Sequence, residues 1–160
     1  MSWFWIQFLT FQLLWLVAVV GGNNWLVLSM MLIGLHFIFT PSRKLDWRVL
    51  PVALIGITVD AILTWSGFFA FDHFPLWLAA LWISFILTLG HSMSWLSHLP
   101  RLLLIPIGAV AGTLSYYAGW KLGAVDFPRG TTTSSIAVAI VWATLLPSLV
   151  ILNDRIRRQQ

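Results

Sequence analysis

The chain is 160 residues long, 59% hydrophobic and only 9% charged, against the about 25% charged residues of an ordinary soluble domain, so lipid must be the solvent for most of its surface. Its formal net charge is +4, but the basic residues lie almost wholly between apolar runs, which speaks for charges that set membrane topology and against a nucleic-acid partner. With no cysteine, disulfides, thiolate catalysis and cysteine-ligated metals are excluded.

The first apolar run, Trp3 to Val20, lacks the basic opening and the A-x-A site of a signal peptide, and is expected to be a retained helix. Gly21, Gly22, Asn23 and Asn24 form a turn, with Asn23 or Asn24 placed to cap the helix that follows. A second span covers 25–39. Residues 40–47, with Pro41, Arg43, Lys44 and Asp46, read as an aqueous loop. The third span, 48–66, carries Pro51 in its first turn, where a missing N–H costs little. Asp60 is the only acid inside a span. It lies 12 residues beyond Arg48, about 18 Å along the helix.

Residues 67–74 form a hydrophobic loop and the fourth span, 75–95, follows. At helical spacing Trp77, Leu81, Ser84, Thr88, His91 and Trp95 share one face that turns polar toward its far end. Such a face belongs against protein, because hydroxyls and imidazole find no hydrogen-bond partner in acyl chains. The fifth span, 101–119, contains Pro106 and a column of small residues, Gly108, Gly112, Ser115 and Gly119, at spacings that let another backbone approach closely. After a long connection the sixth span, 134–152, ends in a basic segment with Arg155, Arg157 and Arg158.

The expected fold is therefore all-α: one domain over 1–160, a bundle of six transmembrane helices. Six spans place both termini on one side. Seven basic residues (Arg43, Lys44, Arg48, Arg101, Arg155, Arg157, Arg158) share it, against Lys121 and Arg129 opposite, so the positive-inside rule makes both termini cytoplasmic. Eight of the eleven tryptophans, including Trp3, Trp77 and Trp95, fall at the ends of apolar runs as interfacial belts, whereas Trp15, Trp82 and Trp142 lie deeper. The two halves share no visible repeat, which removes support for an inverted-repeat transporter.

The expected polar cavity gathers Asp60, Tyr116, Tyr117, Lys121, Ser84, Thr88, His91 and Ser92. Tyr116 and Tyr117 reach a level similar to Asp60, and Lys121 can extend inward along its stem. An acid there is either the centre of a cavity or a bond locking two helices. His36 and His91 can lie at similar depth as a proton relay, half a metal site or an interhelical bond. No carboxylate or third histidine is evident to complete a metal site, so no metal and no cofactor is expected.

Three stretches carry a resemblance: GITVDAILTWSGFFAF (56–71), PLWLAALWISFILTLGHSMSWL (75–96) and GTLSYYAGWKLGAV (112–125). They resemble a family of small bacterial inner-membrane proteins without an assigned biochemical function, through Asp60, Gly67, Pro75, Trp77, Trp82, Ser92, Trp95, Tyr116, Gly119 and Gly123. Thr113 stands where the family's proline is expected. The resemblance implies multi-pass residence in the bacterial inner membrane and an association with enzymes that modify membrane fatty acids, and it supplies no catalytic residues. The leading expectation is thus a role in lipid modification or envelope homeostasis, with membrane lipids or a lipid-modifying membrane enzyme as partner. The alternatives are a substrate-binding transporter subunit, which the lack of an alanine-x-x-x-alanine pattern in 11–20 lowers, and an intramembrane enzyme using Asp60.

Overall fold

The computed structural model describes residues 2–159, and over these the chain is helical. The helices are α1 (Ser2–Gly21), α2 (Leu26–Phe39), α3 (Arg43–Val49), α4 (Ala53–Trp65), α5 (Leu76–Leu89), α6 (Arg101–Lys121) and α7 (Thr131–Arg158). An isolated antiparallel bridge between Ala70 and Asp126 joins two connections. Four helical runs are long and apolar enough to cross a membrane: Trp3–Phe39, Arg43–Trp65, Arg101–Lys121 and Thr131–Arg158. The first of them is folded double. Gly22 takes φ +53°, open to glycine at no steric cost, and the Trp3 ring returns to within 5.7 Å of the His36 ring.

The helix boundaries correct three expectations. The fourth segment is helical only over 14 residues, about 21 Å. It ends at Gly90, where the Arg157 guanidinium lies so close that a Cβ would collide with it. Trp95 therefore leaves the polar face of α5 and is exposed. The loop expected at 40–47 folds from Arg43 into α3, and Pro51 sits in a 3-10 turn, Leu50–Val52, between α3 and α4. Asn23 caps the start of α5 instead of α2: its side chain accepts from Trp77 N at 3.2 Å and donates to Phe74 O at 2.7 Å. In this way the turn after α1 satisfies an otherwise orphaned N–H of a distant helix.

Helix α5 is the axis, with nine of its fourteen residues buried. Packing against other helices rather than lipid, it can be short. Leu14, Ile86, Leu87, Leu104 and Leu149 are among the fully buried side chains of the core. Helices α6 and α7 pack most closely at Gly108 and Gly112, where an added Cβ would meet the Trp142 carbonyl oxygen and the Trp142 ring respectively. Gly119 does not share this role, since a Cβ there meets only Val125 Cγ1 at 3.7 Å.

The candidate site: a buried carboxyl behind an apolar cleft

Asp60 lies on the inner face of α4 and is 4% exposed. Its Oδ1 accepts from the Tyr116 hydroxyl of α6 at 2.6 Å, and its Oδ2 accepts from Trp82 Nε1 of α5 at 2.6 Å. Gly56, one turn earlier on α4, makes room for the Trp82 ring. The Trp82 ring stacks on Trp142 of α7, with centroids 5.5 Å apart. One carboxyl group thus holds three helices in register, and Trp142 brings in the fourth.

The expected grouping around Asp60 is only partly correct. Tyr116 reaches it, but Tyr117 points outward and Lys121 turns to the surface, its Nζ 4.8 Å from the Trp120 ring and 5.7 Å from that of Tyr117. A cation–π contact with water access satisfies this ammonium better than a desolvated path to Asp60. Thr88 and Ser92 belong elsewhere as well. Thr88 Oγ1 accepts from Gln7 Nε2 at 3.0 Å and donates to the Ser84 carbonyl at 2.8 Å, while Ser92 Oγ donates to Gln7 Oε1. Ser84 is buried on the same face of α5.

Two cavities flank Asp60. The larger, about 430 Å³, is walled by α1, α5 and α6 and is almost wholly apolar, with Phe11, Trp15, Leu81, Phe85, Trp82 and Tyr116 in its lining. Its rim residues Gln12, Ala111 and Leu114 are exposed, so it opens on the apolar surface between α1 and α6. Trp15 Nε1 donates to Ser115 Oγ at 3.1 Å across this opening. Trp82 and Tyr116 line this cleft while giving their polar hydrogens to Asp60. The smaller cavity, about 320 Å³, is lined by Asp60 itself with Thr64, Trp65, Phe71, Phe74 and Trp82.

A second polar cluster closes the other end of the bundle, and sequence reasoning missed its centre. Asp46, expected in an aqueous loop, is fully buried. Its Oδ2 accepts from Thr40 Oγ1 at 2.5 Å, and its Oδ1 takes Arg157 Nη2 at 2.5 Å. His36 Nε2 lies 3.3 Å from Oδ2, and His91 Nε2 lies 3.0 Å from Oδ1. The two histidines do come together, with rings 5.2 Å apart. Asp46 supplies the carboxylate they were expected to lack, and the donor atoms of His36, Asp46 and His91 lie within 4.8 Å of one another. That donor set has the composition of a divalent-metal site. The hydrogen bonds commit it otherwise. Trp3 Nε1 donates to His91 Nδ1 at 3.1 Å; because indole is a donor only, His91 carries its proton on Nε2 and gives it to Asp46. The cation at Asp46 is Arg157, so a divalent ion would have to displace Arg157 and reverse the His91 tautomer. In the sequence the cluster showed only as the His36 and His91 pair, with Asp46 standing apart among basic residues on a polar turn.

The family described as "Protein of unknown function (DUF2878)" matches residues 4–148. No curated protein and no solved structure matches the chain.

Proposed function

The chain belongs to the DUF2878 family of proteins of unknown function, and from that membership, which brings no activity with it, we propose a membrane protein that binds a lipid chain in the cleft between α1 and α6. It serves lipid modification or envelope homeostasis in the bacterial inner membrane, alone or by presenting the lipid to a membrane enzyme. Six segments cross the bilayer with both termini cytoplasmic, α1 and α2 counting as two. The alternating placement of connections supports this: residues 70 and 126 meet at one end and Asp46, His91 and Arg157 at the other.

The observation that carries the reading is the cleft. Its volume of about 430 Å³ falls within the about 300–1,000 Å³ of ligand pockets, its walls are hydrocarbon and aromatic, and its mouth opens at Ala111, midway along α6. Water would find almost no hydrogen-bond partner there. An acyl chain loses nothing by entering. Asp60 supports the wall: accepting a hydrogen bond from Trp82 and one from Tyr116, it fixes two of the rings that line the cleft.

The test is lipid retention. Protein extracted in mild detergent should copurify lipid in a composition distinct from the bulk membrane, read by mass spectrometry. Ala111→Phe, which fills the mouth from an exposed rim position, should lose that lipid while keeping the elution profile of the folded protein. Equal retention by the variant, or a bound fraction that mirrors the bulk membrane, would sink the reading.

A further inference from the structure

We infer that the smaller cavity beside Asp60 is a binding site for an organic ammonium group, a ligand distinct from the hydrocarbon chain of the cleft. Three observations converge on it. The first is a charge without a counter-charge. Both oxygens of Asp60 act as acceptors, the pattern suited to the ionised group, and the donors are an indole and a phenol, both neutral. Among the described residues no cationic side chain lies within 4.0 Å of this carboxyl; the ion pairs found there are His36, His91 and Arg157 with Asp46, and Arg158 with Asp154. The lysine and the arginine at this end are engaged with rings: Lys121 over Trp120, and Arg129 over Phe68 at 4.6 Å. Buried charges in proteins are paired or bind a cation.

The second observation is the wall. Trp65, Phe71, Phe74 and Trp82 line the same cavity as Asp60. Aromatic faces attract a desolvated cation, and a box of them with one carboxylate is the chemistry that holds substituted ammonium groups. Bare alkali ions are poorly served, because the lining offers few oxygens. The third is access. Asp60 lies five residues before the end of α4, about 7.5 Å, and two of the rings are at the surface, Trp65 90% exposed and Phe74 78% exposed. Asp72 and His73, between lining residues Phe71 and Phe74, are exposed. Two unused lone-pair positions remain on the carboxylate, since it has about four and accepts two bonds.

The ammonium can come from a lipid headgroup or from a free small amine. The experiment separates these sources. Full-length protein is placed in nanodiscs of phosphatidylglycerol, which carries no amine, and equilibrium dialysis measures binding of radiolabelled choline and ethanolamine. Native mass spectrometry then compares retention of phosphatidylethanolamine with that of phosphatidylglycerol of the same chains. Saturable binding of either free amine identifies a soluble amine as the ligand. Selective retention of phosphatidylethanolamine identifies a headgroup. In either case Asp60→Asn should weaken binding at least about tenfold, and the surface variant Trp65→Ala about three- to tenfold. Trp65→Ala carries the test should Asp60→Asn fail to fold. Ala111→Phe should leave ammonium binding intact, so that failure of the cleft reading and failure of this one are told apart. The inference is overturned if neither amine source binds, if neutral 3,3-dimethyl-1-butanol, the carbon isostere of choline, competes as well as choline does, or if both variants bind as the parent.

Discussion

At Asp60 and Asp46 the same side chain meets two different solutions to burial. Asp46 is saturated by hydroxyl, imidazole and guanidinium donors and makes a charge-balanced clasp. Removing one partner leaves the rest uncompensated. Asp46→Asn should therefore destabilise the protein, by somewhat less than the about 3–5 kcal/mol of a fully buried pair because Arg157 is partly exposed. Thermal unfolding in detergent reads the change, and the double variant with Arg157→Gln should cost less than the sum of the two. An additive double variant would show that the pair is not coupled. At Asp60, Tyr116→Phe removes one donor while keeping the ring. Its expected cost is about 1–3 kcal/mol, the desolvation of an acceptor left unpaired. Neither site could be assembled from spacing, because the partners of Asp46 lie up to 111 residues away and those of Asp60 up to 56. Depth along a helix was legible, and residues expected at one level, His36 with His91 and Tyr116 with Asp60, meet in the structure. Azimuth was not: Tyr117, one residue from Tyr116, is turned about 100° away.

Among the elements, the α6–α7 pair gives the sharpest contrast. Gly108 and Gly112 face Trp142, whereas Gly119 faces only Val125 at ordinary van der Waals distance. Gly108→Ala places a methyl against a backbone carbonyl that cannot move aside, and should cost about 1–3 kcal/mol as an overpacked contact. Gly119→Ala should be neutral or stabilising by about 0.5–1 kcal/mol, since alanine is the better helix former. Equal effects at the two positions would show that the small-residue column acts as one unit, as its spacing alone suggests. Ser115 takes a third part, accepting from Trp15 across the cleft. Trp15→Phe should free that bridge and increase lipid exchange at the opening, measurable as faster loss of bound lipid in detergent.

For the whole molecule, the arrangement of charge predicts topology. The chain has no cysteine, so single cysteines report on each connection without background. Lys44→Cys and Arg101→Cys should react with a membrane-impermeant maleimide only when the cytoplasmic side is opened, and Lys121→Cys and Arg129→Cys should react from outside. Labelling of Lys44→Cys and Lys121→Cys from the same side would refute the six-span arrangement.

Composition and hydropathy by themselves determined an all-helical chain with membrane-length apolar segments, because a backbone in lipid must satisfy its own hydrogen bonds and leaves the sequence little choice. The turn at Gly22 was legible from the run of glycine and asparagine that forms it. Tertiary structure alone decided where helix ends are used: α5 stops at Leu89 with Arg157 packed against Gly90, where no Cβ would fit, and Asn23 serves α5 rather than its own neighbour. It alone also decided that Asp46 is buried and Lys121 is not. Charges in a connection are free to find water or one another, and only the packing of distant helix ends settles which of the two they do.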